Sequence, residues 1–97
     1  MNTGLKTKTK YLPIFVKEIE KQILGGGKRY SISDNKEMTD YICELVGNDW
    51  IIGNILKYCG EYQRTKIKRD LFKIATYAFI LWLRDYEIKE EEDEGEK

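Results

Sequence analysis

Apolar residues recur at steps of three and four along most of this chain, which is the period of an α-helix. Leu12, Phe15, Val16, Ile19 and Ile23 outline a first helix, with Pro13 in its opening turn, where a missing N–H costs nothing. Gly25-Gly26-Gly27 is expected to stop it. Ser33 or Asp34 can cap a second helix, with Glu37 completing a capping box ahead of Met38, Tyr41, Ile42, Leu45 and Val46. Gly47-Asn48 ends that helix, and Asp49 caps a third whose apolar positions are Trp50, Ile51, Ile52, Ile55, Leu56 and Cys59. Gly53 interrupts this third pattern at a cost of about 1 kcal/mol against Ala, which suggests close packing or close approach of a ligand. Thr65 opens the longest helix, running to Ile88 along a seam of Ile67, Leu71, Ile74, Ala78 and Leu81. Phe72, Ala75, Phe79 and Trp82 form a second stripe beside that seam. No segment shows the two-residue alternation of a strand. The pattern predicts an all-α fold, a small bundle of about four helices with a long C-terminal helix.

Length and charge add the boundaries. Ninety-seven residues make one domain. Residues 1–10 are expected to be a flexible basic arm, 11–89 the helical domain and 90–97 an acidic disordered tail. One partner helix cannot cover two stripes, so either the last helix is central to the bundle or its second stripe is a subunit interface, and the stripe's exposure predicts a homo-oligomer built from symmetric dimers. No apolar run reaches the roughly 20 residues that span a bilayer, so no membrane partner is expected. The chain has no histidine, which removes histidine-ligated zinc, Ser-His-Asp and Cys-His chemistry. Cys43 and Cys59 form no CxxC pair. The 17 basic and 17 acidic residues cancel, but in blocks: residues 1–30 carry +5, 31–62 carry −4, 63–84 carry +5 and 85–97 carry −6. A phosphate-bearing ligand would therefore meet two basic segments rather than an averaged surface.

Four features carry candidate chemistry. Gly25-Gly26-Gly27-Lys28 suggests a phosphate loop, but Gln22 precedes Gly27 where a P-loop needs glycine, and Arg29 follows where it needs Ser or Thr. A hinge between helices is the better account. Glu37 and Asp40 sit one turn apart, as magnesium-binding pairs do, yet the later helix offers only Asp70, with Lys73 where a second carboxylate is needed. No metal site is expected. Arg64, Lys66, Lys68 and Arg69, following Tyr62, could grip a nucleic-acid backbone, although a solvated helix end accounts for them as well. The most specific feature spans two helices. Asn54, Lys57 and Tyr58 lie within little more than one turn, and Asp70, Lys73 and Tyr77 at i, i+3 and i+7 form one edge of the next helix. A short loop makes the two helices antiparallel neighbours, so an amide, two ammonium groups, a carboxylate and a phenol can meet at one cleft. Lysines neutralise phosphate, Asn and Asp read donors, and Tyr stacks on a base or sugar. The competing account is an Asp70–Lys57 ion pair that fixes helix register.

Gly53-Asn54, Lys57-Tyr58, Asp70-Leu71, Lys73 and Tyr77, with Glu37, Met38, Asp40 and Ile42 upstream, also carry a resemblance. In order and spacing, roughly residues 30–84 resemble the small phage-borne SaV-like domain family of unknown function, which includes the nucleotide kinase of short-tailed phages. Glu61 stands where that family usually has Arg, Ile74 where it usually has Ala, and KRYSIS replaces its proline- and histidine-bearing entry segment. The resemblance implies a virus-encoded protein of the host cytoplasm, acting on deoxynucleoside phosphates in the manner of a nucleotide kinase, with Mg²⁺ arriving only on a nucleotide. It assigns no catalytic residue. The expected ligand-binding set is Asn54, Lys57, Tyr58, Asp70, Lys73 and Tyr77. The alternative is a non-enzymatic oligomer that binds nucleic acid or a host factor.

Overall fold

The structure, a computed structural model, describes the backbone of residues 2–33 and 36–96 and the side chains of 2–26 and 36–86. In chain order the elements are α1 (Leu5–Tyr30), β1 (Ser31–Ser33), β2 (Lys36–Glu37), α2 (Met38–Val46), α3 (Asp49–Thr65) and α4 (Arg69–Glu96). The molecule is an all-α bundle of four helices with a long C-terminal helix.

α1 differs from its expected bounds at both ends. It starts at Leu5, inside the residues expected as a flexible arm, and Pro13 lies within it rather than in its first turn. Proline removes one intrahelical bond without ending a helix whose other residues supply theirs. The helix also runs through Gly25, Gly26 and Gly27 to Tyr30. Glycine costs helical stability but forbids nothing, and no side chain is needed at Gly25, where an added Cβ would meet nothing within 4 Å. The glycines are thus a weak last turn, not a hinge. The side chains of Lys28 and Arg29 lie outside the described residues.

β1 and β2 form a two-stranded antiparallel ribbon, pairing Ser31 with Glu37 and Ser33 with Lys36, where the periodicity predicted no strand. Strands of three and two residues are too short for any alternation to register. The ribbon moves the start of the next helix. Glu37, not Ser33, is the residue before α2, and Asp40 Oδ2 accepts its backbone N–H at 3.0 Å; Asp34 lies outside the described residues.

α2 closes at Gly47, whose N–H donates to the Cys43 carbonyl at 2.8 Å with φ +89° and ψ 170°. That conformation is essentially reserved for glycine. α3 closes at Lys66 in the left-handed region, its N–H donating to Tyr62. Thr65 therefore ends α3 rather than opening the last helix: its hydroxyl donates to the Glu61 carbonyl at 2.9 Å. α4 begins at Arg69 and stays helical to Glu96, through the residues expected as a disordered tail; the side chains beyond Tyr86 lie outside the described residues.

α3 and α4 run antiparallel, since Asn48 and Trp50 near the start of α3 meet Arg84 and Tyr77, while Tyr58 farther along also meets Tyr77. α2 joins them through Arg84, which donates to Asp40 Oδ1 and to Asn48 Oδ1, both at 2.7 Å. α1 is held to the first turns of α4 by Phe15 against Phe72, ring centroids 5.1 Å apart, and by Gln22, which bonds the Arg69 carbonyl and the Thr76 hydroxyl. Phe72 thus belongs to an internal contact, and the second stripe of α4 divides: Phe72 and Ala75 are half-buried, whereas Phe79 and Trp82 are exposed. Among the described residues only Cys43 and Ile51 are buried apolar side chains, Ile51 completely, beside one buried acidic residue, Asp70. Of the positions expected to bury α1, Leu12, Phe15 and Val16 are exposed, and only Ile19 and Ile23 are half-buried.

Two glycines separate conformation from space. Gly47→Ala forces an L-residue into φ +89° and should cost about 1–3 kcal/mol. Gly53, where an added Cβ meets nothing within 4 Å, is not needed for close packing, and Gly53→Ala should gain about 1 kcal/mol. Thermal melts of the two variants should move in opposite directions, by about 4–8 °C per kcal/mol. Arg84→Ala should cost about 1–2 kcal/mol, and Arg84→Lys should restore only part of it, because one ammonium cannot reproduce the forked contact.

Candidate functional site

Trp50, Asn54 and Tyr58 follow one another at four-residue steps on α3 and so share a face. That face meets Tyr77 of α4. The Tyr58 and Tyr77 rings are stacked, 5.8 Å between centroids at 17°, and the Trp50 ring stands edge-on to Tyr77 at 6.3 Å and 75°. The indole N–H of Trp50 donates to Cys43 Sγ at 3.0 Å, which ties the aromatic group to α2.

Two cations rest on this aromatic surface. Lys57 Nζ and Lys73 Nζ each lie 4.9 Å from the centroid of the Tyr58 ring, one from α3 and the other from α4. The attraction of an ammonium for a ring face is worth about 0.5–1 kcal/mol at an exposed site, enough to orient a lysine but not to neutralise it. Among the described residues the ion pairs are Lys21–Glu18, Lys36–Glu44 and Arg84–Asp40, and none involves Lys57 or Lys73. The two ammonium groups therefore share a ring, and neither makes an ion pair among the described residues.

Four of the six expected residues, Lys57, Tyr58, Lys73 and Tyr77, are brought together by direct contact. Asn54 is half-buried beside them but turns one amide hydrogen back to the Trp50 carbonyl at 3.3 Å, leaving its side-chain oxygen for another partner. Asp70 is 6% exposed in the first turn of α4, where a negative charge suits the helix dipole, and makes no ion pair with Lys57. The register-fixing ion pair between those two residues is absent. The apolar periodicity gives Trp50 only as a core position of the third helix; its four-residue spacing from Asn54 and Tyr58 is the signal that places it here. Arg84 had a weaker signal, as the one basic residue on the apolar run of α4 from 77 to 84.

The remaining features fall elsewhere. Asp40, one half of the acidic pair, is engaged through both oxygens, by Arg84 and by the Glu37 N–H. Among the described residues no three Cys, Asp or Glu side chains are grouped to hold a metal ion. Arg64, Lys66, Lys68 and Arg69 are exposed around the α3–α4 turn, and Lys66 Nζ lies 5.3 Å from the Tyr62 ring. Among the described residues no helix is long and apolar enough to cross a membrane. Set against known proteins, the chain matches no family model, no curated protein and no solved structure.

With no ion pair to break, Lys57→Ala should change the stability of the ligand-free chain by less than about 1 kcal/mol. Tyr77→Ala, which removes contacts to both Trp50 and Tyr58, should cost about 2–4 kcal/mol. Urea melts of the two variants check the difference, and equal losses would mean that Lys57 carries structure.

Proposed function

We propose that the chain binds a phosphate-bearing ligand, a nucleotide above other anions, where α3 and α4 present Lys57, Tyr58 and Lys73. The observation that supports this is the pair of ammonium groups on one tyrosine ring without a carboxylate partner among the described residues. A bound phosphate would supply the counter-charge that both lysines lack and accept charge-assisted hydrogen bonds from them. The Asn54 oxygen is available to a base or sugar donor beside them, and the exposed Gly53 leaves room for a ligand backbone to approach. The resemblance of residues 30–84 to a phage family that includes a nucleotide kinase favours deoxynucleoside phosphates over other anions, and with them a virus-encoded protein of the host cytoplasm. If phosphoryl transfer follows binding, it rests on positioning and charge neutralisation, with Mg²⁺ carried in by the nucleotide.

A second reading has its own observation. The exposed basic side chains Arg64, Lys66, Lys68 and Arg69 at the α3–α4 turn suit a nucleic-acid backbone, in an oligomer without catalytic function. Salt separates the two, because a backbone grip weakens steeply with ionic strength and a shaped nucleotide site much less.

A ligand at about 100 times its Kd should stabilise the fold by roughly 2.7 kcal/mol, a rise in melting temperature of about 10–20 °C for a domain of this size. Melts with deoxynucleoside mono-, di- and triphosphates, and with inorganic phosphate, measure it. Lys57→Ala and Lys73→Ala should each abolish the rise. No shift with any nucleotide at millimolar concentration removes the proposal.

A further inference from the structure

α1 carries more apolar surface than its own chain covers. Tyr11, Leu12, Pro13, Ile14, Phe15 and Val16 are six consecutive exposed positions, and at 100° per residue they sweep the whole circumference of the helix. α4 takes Phe15 from one side. Leu5, Leu12 and Ile14 remain 80%, 60% and 58% exposed. α4 has a matching surplus two turns beyond its contact with α1. Phe79, Trp82 and Leu83 are 40%, 56% and 37% exposed, and the Phe79, Trp82 and Tyr86 rings stack along the helix at 6.0 and 5.3 Å as a continuous apolar wall.

The total area points the same way. The chain exposes 7953 Å², against roughly 5,800 Å² for a compact monomer of its mass.

Charge then sets the pairing. In α1 the basic residues Lys6, Lys8 and Lys10 precede the apolar run, with no acid among the first ten residues. In α4 the apolar wall comes first and a mainly acidic stretch follows, Asp85, Glu87, Glu90, Glu91 and Glu92 around the single Lys89. Laid antiparallel at equal rise per residue, with Leu12 level with Leu83 and Val16 level with Phe79, α1 over α4 brings Lys8 level with Glu87 and Lys10 with Asp85, while Lys6 comes level with Lys89. Laid parallel, the same helices oppose lysines to apolar residues.

We propose that the N-terminal half of α1 docks antiparallel on the Phe79–Trp82–Leu83 face of α4 in a second copy of this chain, and that the second copy returns the same contact. The dimer is symmetric, with two equivalent α1–α4 contacts across the two-fold axis. It stands independently of ligand binding at Lys57 and Lys73.

Sedimentation of the whole chain tests it. The wild type should be a dimer at micromolar concentration, and Leu12→Glu and Trp82→Glu should each be monomeric with helical circular dichroism retained, since both side chains are exposed within one copy. Mixed together, the two variants should recover a dimer, because the Leu12 of one and the Trp82 of the other restore one of the two contacts. Lys8→Glu with Lys10→Glu, which touches no apolar contact, should weaken association about tenfold at low salt and much less at molar salt. This charge variant keeps the test decisive if a glutamate at Trp82 unfolds the chain. A wild type that is monomeric at high micromolar concentration overturns the proposal. So does a dimer that survives Leu12→Glu, which would mean α4 pairing with α4. A monomer that instead loads its α1 onto anionic phospholipid vesicles also overturns it.

Discussion

Tyr77 is the side chain on which both the fold and the candidate site depend. It stands in the third turn of α4, with Tyr58 stacked on it and Trp50 edge-on, so one ring fixes two points of α3 eight residues apart. Trp50 passes the connection on to α2 through its N–H bond to the Cys43 sulfur. Three helices are thus joined by one continuous set of aromatic and sulfur contacts. Aromatic rings suit this task, since each buries a large area in a preferred geometry and loses only two rotatable bonds in doing so.

The same arrangement explains where the lysines go. Because Tyr58 is held by Tyr77, its ring is a fixed surface, and the ammonium groups of Lys57 and Lys73 converge on it from two different helices. A lysine on a flexible stem normally spends its time in water. Here the structural contact and the candidate chemistry are one object, and a change at Tyr77 acts on both.

α4 is the common member of the bundle. It receives α1 at Phe72 and Thr76, α3 at Tyr77, and α2 at Arg84, in order along its length. A helix that meets its partners one after another builds a long molecule, 46 × 32 × 23 Å, rather than a round one. The cost is a thin interior: Ile51 and Cys43 are the buried apolar side chains among the described residues, and Asp70 is buried with them. A chain of this length has little area to spare, and the apolar faces that α1 and α4 leave uncovered are the other side of that economy.

Periodicity determined the class of fold, the existence of four helices and the long last one, because three- and four-residue spacing follows from the helix itself and needs no partner. It also put Lys57, Tyr58, Lys73 and Tyr77 on facing edges, since a short loop between two helices makes them antiparallel neighbours. Element ends were less legible. Pro13 and the three glycines read as boundaries by local preference, yet α1 runs through all of them, since propensity is a cost rather than a prohibition. The two-stranded ribbon carried too few residues to show a period. What only the tertiary structure decided is which apolar face meets which: that Phe72 turns inward to Phe15 while Phe79 and Trp82 do not, that Asp40 goes to Arg84, and that Asp70 is buried without Lys57. Those choices depend on how helices cross, and a helical period fixes the face a residue is on but not the direction from which another helix arrives.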